Sequence, residues 1–201
     1  MTTKKKTIKI DVDGCIRDTF TAMCKVYERE TGLKKTIEDI ESYDTEVSFP
    51  AIKEIIENND VDYKTSNEFF FEKHALDCFL RAKPIKNVKR AIDKFRAAGF
   101  RVAICTHQPH LKGRSYTLDF LTENDIHYDE LHFTNEKWRI KADYIIDDSP
   151  EFLMDRRERA YRICIDYPFN RHLRHFSFAH KNRFKTVNDA LEFIAAKHTN
   201  S

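Results

Sequence analysis

Several apolar, strand-like stretches of this 201-residue sequence end in polar residues, and stretches with helical periodicity separate them. The three clearest are residues 8–10 before Asp11 and Asp13, residues 100–105 before Thr106, and residues 142–146 before Asp147 and Asp148. Strands that alternate with helices predict an α/β fold with an open parallel sheet flanked by helices. Because ligands bind at the carboxyl ends of parallel strands, we expect these polar side chains to gather at one edge of the sheet.

The first of these stretches ends in two carboxylates one residue apart, and Gly14 follows them. Residues two apart in a strand point to the same face, so Asp11 and Asp13 would leave the sheet on the same side. Two carboxylates this close repel each other unless a cation or a shared proton intervenes, and Mg2+ suits such oxygen ligands. On its own, a strand followed by an ordinary Asp-Gly turn explains the motif equally well.

The segment after the first strand is helical in pattern and rich in aromatic residues. A helix is predicted from Thr19 to about Thr31, and Gly32 can end it. No glycine and no convincing strand pattern interrupts the following fifty or so residues. We therefore predict a small helical cap at 20–83, inserted after the first strand into an α/β core made of 1–19 and 84–201.

The rest of the chain continues the alternation without internal repeats. The predicted helices are one that Gly99 ends, one at about 112–123, one at 151–159 and one at about 187–197, and further strands are predicted at 131–134 and 162–165.

Composition narrows the function classes. Hydrophobic residues at 41% and charged residues at 34% are typical of a soluble globular protein, and no run is long enough to span a membrane. We expect a cytoplasmic protein, a monomer or a homodimer. Five cysteines without a Cys-x-x-Cys pair lie mostly in apolar stretches, which predicts reduced core residues.

Basic residues crowd the last third of the chain, although the net charge is only +2. They are Arg156, Arg157, Arg159, Arg162, Arg171, Arg174, Lys181, Arg183 and Lys185. A solvated surface explains this crowding better than a polynucleotide-binding track, and a small anionic substrate fits it equally well.

In this order, the motifs resemble those of the haloacid dehalogenase-like phosphatases. They are Asp11-Val12-Asp13-Gly14, the apolar strand that ends in Thr106, a lysine, and Asp147-Asp148. More narrowly, Ile104-Cys105-Thr106, the spacing of Lys137 to Asp147, and Asp166-Tyr167-Pro168-Phe169-Asn170 resemble the 5'(3')-deoxyribonucleotidase branch. The resemblance covers nearly the whole chain and implies a Rossmann-like core.

The resemblance implies roles for the carboxylates. Asp11 would be the nucleophile that forms an aspartyl-phosphate, and Asp13 the general acid and base. Mg2+ would be held by Asp11, by the backbone carbonyl of Asp13, and by Asp147 or Asp148. Which of that last pair binds the metal directly stays open.

The resemblance also implies a phosphate-binding set of Thr106, His107 and Lys137. Thr106 would hold a phosphoryl oxygen, and Lys137 would balance the negative charge of nucleophile and phosphate. Lys141 competes for the lysine role, but the spacing favours Lys137. His107 replaces the small serine usual in that branch, and packing at the pocket rim explains it better than recognition of substrate charge.

The predicted cap would select the substrate. Its Phe49, Phe69, Phe70 and Phe71 could stack on a base, although aromatic residues at helical spacing belong more often to a core. Asn135 replaces an arginine that relatives can carry near the phosphate, which puts the nucleotide specificity in doubt.

The leading hypothesis is a Mg2+-dependent phosphomonoesterase that acts on (deoxy)nucleoside monophosphates. One alternative keeps this chemistry and changes the substrate to a nucleic-acid 3'-end or a sugar phosphate. A second is a non-catalytic binding protein on the same fold.

Overall fold

A computed structural model describes residues 5–58, 61–176 and 181–199 of the chain. Over these ranges the chain forms a six-stranded parallel sheet in the order β3-β2-β1-β4-β5-β6. The strands are β1 (Thr7–Ile10), β2 (Arg101–Thr106), β3 (Glu130–Phe133), β4 (Tyr144–Asp147), β5 (Tyr161–Ile165) and β6 (Arg183–Phe184). The predicted open parallel sheet is confirmed, and β1 lies between β2 and β4.

Helices flank the sheet. The α-helices are α1 (Thr19–Thr31), α2 (Thr45–Ser48), α3 (Pro50–Asn58), α4 (Ser66–Glu68), α5 (Val88–Ala97), α6 (Leu111–Glu123), α7 (Pro150–Met154) and α8 (Val187–Thr199). Two π-helical turns follow α4, at Phe69–Lys73 and Leu76–Leu80, and 3-10 helices lie at Ile37–Asp39, Lys137–Arg139 and Pro168–His175.

Helix α1 begins and ends where its sequence predicts. The Asp18 carboxylate accepts a hydrogen bond from the Thr21 amide and so caps the first turn. Gly32 has a φ of 73°, a left-handed conformation that favours glycine, and its amide donates to the Glu28 carbonyl over 2.8 Å. This helix buries Met23 and Tyr27 in the core.

The described part of the chain between β1 and β2 is helical, as predicted. Backbone hydrogen bonds join its two ends, from the Asp18 amide to the Lys83 carbonyl and from the Ile85 amide to the Ile16 carbonyl, both over 2.8 Å. These bonds lie close to the expected boundaries of the cap. The division into a cap at 20–83 and a core stays a prediction.

The core around strands β1, β2 and β4 is apolar and excluded from solvent. Ile8, Ile10, Ile104 and Ile146 are fully buried in the three central strands, as expected for a parallel sheet covered on both faces. All five cysteines are buried and unpaired, which confirms the expectation of reduced core residues.

Two elements differ from the sequence prediction. The helix predicted at 151–159 ends at Met154, because the Asp155 carboxylate accepts a hydrogen bond from the Arg157 amide and so favours a turn. Strand β6 was not predicted, since two residues are too short to show an alternating pattern.

Candidate active site

A cavity of about 580 Å³ opens at the carboxyl ends of β1, β2 and β4. The predicted site residues that line it are Asp11, Asp13, Thr106, His107, Lys137 and Asp148. Asp147, the last residue of β4, is fully buried and joins this group through its contact with Lys137. The polar strand ends therefore meet at one edge of the sheet, as the sequence predicts.

The Lys137 ammonium lies between two carboxylates. Its Nζ is 2.9 Å from Asp11 Oδ1 and 2.6 Å from Asp147 Oδ2, and it lies 4.1 Å from the centre of the Phe152 ring. Lys137 is only 2% exposed, whereas Lys141 is exposed to solvent. Of the two candidate lysines, Lys137 is therefore the one in contact with Asp11.

Burial and neighbouring charges shift the pKa values of the groups in this cluster. Burial raises the pKa of Asp11 to about 7; repulsion from Asp147 and Asp13 adds to the shift, and attraction to Lys137 opposes it. The pKa of Asp148 is also raised, first by burial and then by Asp11 and Asp147. Burial alone would lower the pKa of Lys137, but Asp11 and Asp147 outweigh it and raise that pKa above its ordinary value. Three carboxylates share one ammonium, so protons or a cation must offset the charge that Lys137 does not balance.

The donor set fits a hard divalent cation. Asp11, Asp147 and Asp148 are buried, and each offers a carboxylate oxygen within 4.8 Å of the others. Asp147 is already engaged, because its Oδ2 accepts from Lys137 and its Oδ1 accepts from the Ser149 amide over 2.9 Å. The buried Asp148 Oδ2 has no hydrogen-bond partner among the residues that the structure describes. An added cation would supply that missing partner.

The turn after β1 is shaped to bring Asp148 close. Gly14 has a φ of 71°, and a Cβ at this position would lie 2.7 Å from Asp148 Oδ2 and 2.8 Å from the Phe20 ring. Tyr167 Oη donates to the Gly14 carbonyl over 2.9 Å, and Asn170 Nδ2 donates to the Asp148 carbonyl over 2.8 Å. The Asp166–Asn170 segment, noted above for its resemblance, thus supports the site from behind.

Asp13 lies in a different environment from the three clustered aspartates. Strand β1 ends at Ile10, so Asp11 and Asp13 both lie beyond the strand. Both line the cavity, although the alternation of a strand is not what orients them. The Asp13 carboxylate accepts hydrogen bonds from Arg17, Thr19 and Gln108. We did not predict Arg17 or Gln108 as site residues. For Arg17, the sequence offered one signal, namely a charged residue directly after the apolar pair Cys15 and Ile16.

Thr106 and His107 occupy the end of β2. Thr106 is 1% exposed, and its carbonyl accepts from the Thr134 amide over 3.0 Å. His107 is exposed at the cavity, and its ring lies edge-on to Phe152 with centroids 6.3 Å apart. Partial desolvation by the neighbouring protein lowers the pKa of His107, so at neutral pH the ring is available as a neutral hydrogen-bonding group.

The aromatic residues of the segment between β1 and β2 divide into two groups. Phe49, Phe69 and Phe70 are at most 1% exposed and pack in the core, whereas Phe71 lines the cavity. Sequence reasoning missed Phe20, Tyr43 and Phe152, which also line it. Asn135 is exposed and is not among the residues that line the cavity.

Several basic residues of the last third contact acidic neighbours. Arg171 pairs with Glu38 over 3.1 Å, and Arg183 with Asp166 over 2.7 Å. Arg157 pairs with Asp155 over 2.8 Å. These pairs agree with a solvated surface. No helix in the described ranges has the length and hydropathy needed to cross a membrane.

The chain is similar to known proteins over most of its length. The family profile described as "5' nucleotidase, deoxy (Pyrimidine), cytosolic type C protein" matches residues 5–198. A curated protein of Chlorobaculum tepidum named "Putative 5'(3')-deoxyribonucleotidase" is 27% identical over 172 residues, which are 83% of this chain and 81% of that protein.

Solved structures share the fold. A haloacid dehalogenase-like protein of unknown function from Agrobacterium tumefaciens superposes with a TM-score of 0.61 at 14% identity, covering 97% of this chain and 100% of that one. A predicted phosphatase from Clostridium acetobutylicum superposes with a TM-score of 0.60 at 14% identity, covering 96% and 100%.

Proposed function

Because the chain belongs to the family of 5' nucleotidase, deoxy (pyrimidine), cytosolic type C proteins, we propose that it hydrolyses deoxynucleoside monophosphates with the help of Mg2+. It is a phosphoric monoester hydrolase with a haloacid dehalogenase-like fold. The observation that carries the proposal is the buried group of Asp11, Lys137 and Asp147 beside the unpartnered Asp148 oxygen, at the floor of a cavity.

In the proposed mechanism, Asp11 attacks the phosphorus atom. A bond forms between an Asp11 carboxylate oxygen and phosphorus, the bond from phosphorus to the nucleoside oxygen breaks, and an aspartyl-phosphate results. Asp13 gives its proton to the leaving nucleoside oxygen. The Asp13 carboxylate then takes a proton from water as that water attacks the aspartyl-phosphate, which releases phosphate and restores Asp11.

The remaining residues bind charge. Lys137, already 2.9 Å from Asp11, offsets part of the negative charge that phosphate brings to the nucleophile. Thr106 and His107 line the cavity, where the threonine hydroxyl and the neutral imidazole would donate to phosphoryl oxygens.

Mg2+ would be held by Asp11, by the Asp13 backbone carbonyl and by Asp148. Asp147 would not bind the ion directly, because its two oxygens accept hydrogen bonds from Lys137 and from the Ser149 amide. When bound, the ion would offset the charge of the carboxylates and of the phosphate. The free Asp148 oxygen supports Asp148 as the direct ligand.

The cavity suits a nucleotide. Its volume of about 580 Å³ falls in the range of small-molecule sites, and Phe20, Tyr43 and Phe71 give it aromatic walls on which a base can stack. We also propose the cytoplasm as the location, because five buried, unpaired cysteines suit a reducing compartment.

Phosphate release from a panel of substrates tests the proposal. The panel holds nucleoside 5'- and 3'-monophosphates, sugar phosphates and a 3'-phosphorylated oligonucleotide, each with Mg2+ and with chelator. We expect metal-dependent release that favours deoxynucleotides and disappears in Asp11→Asn. The matched control is Asp119→Asn, an exposed aspartate on α6 that should retain full activity. A preference for the oligonucleotide would instead support an enzyme of nucleic-acid ends, and no release from any substrate would overturn the proposal.

A further inference from the structure

Donors engage both oxygens of the Asp13 carboxylate. Arg17 donates to Oδ1 from Nη2 over 2.8 Å and from Nε over 3.0 Å, and the Thr19 hydroxyl donates to the same oxygen. Gln108 Nε2 donates to Oδ2 over 2.6 Å. The two oxygens are therefore unequal, since Oδ1 accepts three hydrogen bonds and Oδ2 accepts one from these residues.

Arg17 is itself held in a fixed position. Its side chain is fully buried, and its Nη1 donates to the Phe79 carbonyl over 2.9 Å and to the Thr117 hydroxyl over 3.2 Å. The guanidinium lies 4.7 Å from the centre of the Phe79 ring and 5.1 Å from that of Phe120. A buried arginine is tolerated only when its donors are satisfied, so these contacts define one orientation.

Gln108 is fixed by a different neighbour. A Cβ at Gly113 on α6 would lie 2.5 Å from Gln108 Oε1 and 3.1 Å from the Phe79 ring. The Gln108 carbonyl also accepts from Arg114 Nε over 2.7 Å. The glycine thus leaves room for the Gln108 amide to reach Asp13.

We propose that Arg17 and Gln108 are positioning residues that assign separate tasks to the two oxygens of Asp13. Oδ1 anchors the side chain, because its three donors leave no lone pair for a proton. Oδ2 keeps a lone pair beside the Gln108 amide, and this is the oxygen that carries the proton. This inference rests on the proposed phosphatase activity.

The proton transfer then has a defined route. The bond between Oδ2 and hydrogen breaks as the leaving oxygen takes the proton and the electron pair of its bond to phosphorus. Oδ2 is left as carboxylate oxygen and accepts a proton from the attacking water in the second step. Among the residues that take part in the reaction, Arg17 and Gln108 contact Asp13 alone, and they act through it.

The choice of leaving group separates this role from a structural one. A general acid matters for a nucleoside alkoxide and little for p-nitrophenolate, which leaves readily without a proton. The value of kcat/KM reports steps only through the first phosphoryl transfer, so hydrolysis of the aspartyl-phosphate does not enter it. We expect Arg17→Met to lower kcat/KM for a deoxynucleoside monophosphate about 100-fold, and for p-nitrophenyl phosphate about threefold or less.

Further variants keep the test decisive if Arg17→Met folds poorly. Arg17→Lys, which keeps the positive charge on a single donor nitrogen, should recover part of the loss. Gly113→Ala removes no polar group but displaces the Gln108 amide. It should therefore lower kcat/KM for the deoxynucleoside monophosphate more than kcat/KM for p-nitrophenyl phosphate, while the Mg2+-induced rise in Tm stays unchanged. Arg162→Met is the matched control, because Arg162 bonds the carbonyls of Asp155 and Glu158 away from the cavity.

The outcomes are distinct. Activity of the wild type toward both substrates, with equal losses for both in Arg17→Met and Gly113→Ala, would overturn the positioning role and leave the phosphatase proposal intact. Inactivity of the wild type toward every phosphate ester would overturn the phosphatase proposal itself.

Discussion

Lys137 connects Asp11, the proposed nucleophile, to Asp147 at the end of β4, so its charge stabilises the fold as well as the site. Two buried carboxylates, Asp11 and Asp147, lie within 2.9 Å and 2.6 Å of its Nζ. Removing one partner of a buried ion pair leaves an uncompensated charge, which is more harmful than the loss of the attraction alone.

Replacing Lys137 by Met should therefore destabilise the metal-free protein. We expect the free energy of unfolding, measured with urea in chelator, to fall by about 3 kcal/mol at pH 8. The loss should be smaller at pH 5.5, because a proton on Asp11 then removes one of the two charges. Lys141→Met, at an exposed lysine four residues on, should change it by less than about 0.5 kcal/mol. Equal effects of the two substitutions would contradict this account.

The raised pKa of Asp11 gives metal binding a pH dependence of known sign. The folded pKa of about 7 exceeds the ordinary value of 3.8, so the proton-linked stability of the metal-free fold is full below about pH 4 and is lost as the pH rises through 7. The proposed Mg2+ ion would need the deprotonated carboxylates, and its binding would compensate for that loss of stability.

The Mg2+-induced rise in Tm should accordingly be small at pH 5.5 and several-fold larger at pH 8. Differential scanning fluorimetry with Mg2+ and with chelator measures it. Asp148→Asn, which removes the charge of the unpartnered oxygen, should abolish most of the rise at either pH. A rise that is larger at pH 5.5 would refute the assignment.

At the residue scale, the sequence predicted the groups at strand ends and missed the groups that hold them. Asp11, Thr106 and Asp147 follow apolar strands, and a parallel sheet brings such positions together. Arg17 contacts Phe79 and Thr117, which are 62 and 100 residues away in the chain, and no local periodicity reports such contacts.

Among the elements, strand β1 carries a buried lysine that the alternating pattern does not explain. Lys9 is 1% exposed, and its Nζ pairs with Glu158 over 2.6 Å and donates to the Lys137 carbonyl over 2.8 Å. Glu158 lies in the segment that was predicted as helix and instead turns inward. The need to neutralise Lys9 is thus a second reason why α7 is short.

The turns after α4 carry two adjacent phenylalanines with different roles. Phe70 is fully buried in the core, and Phe71 lines the cavity and stacks on Phe79 with ring centroids 5.2 Å apart. The sequence favoured a core position for all three phenylalanines, because aromatic residues at helical spacing belong more often to a core. Spacing alone could not show which of them faces the cavity, because the chain forms short π-helical turns here.

Alanine substitutions at these two positions should separate substrate binding from stability. Phe71→Ala should raise KM for deoxynucleoside monophosphates about tenfold through lost base stacking, with KM for glycerol phosphate unchanged. Phe70→Ala should instead lower the free energy of unfolding by about 3 kcal/mol, with KM unchanged for the folded fraction. Steady-state kinetics and urea unfolding of both variants decide, and a KM effect confined to Phe70→Ala would contradict the assignment.

For the whole molecule, strand order explains why one edge of the sheet carries the chemistry. Strand β1 has β2 on one side and β4 on the other. The connections after β1 and after β3 therefore lead to opposite sides of the sheet, which leaves a crevice at the carboxyl ends of the central strands. Alternating strands and helices sufficed to predict an open parallel sheet with its site at the carboxyl ends of the strands, but not the order of the strands. The position of β6 and the packing of the helical segment over the crevice depend on long-range contacts that composition and periodicity do not report.

The proposed mechanism depends on phosphorylation of Asp11 during turnover. Wild-type protein mixed with Mg2+ and a deoxynucleoside monophosphate, quenched in acid within the first turnover and analysed by peptide mass spectrometry, tests this most directly. We predict one phosphoryl group on the peptide that contains Asp11, absent in Asp11→Asn. With p-nitrophenyl phosphate as the donor, whose leaving group needs no proton, the phosphoryl group should be more abundant in Asp13→Asn, because hydrolysis of the intermediate is then slowed. Phosphate release by Asp11→Asn at the wild-type rate, or a phosphoryl group on another residue, would contradict the account.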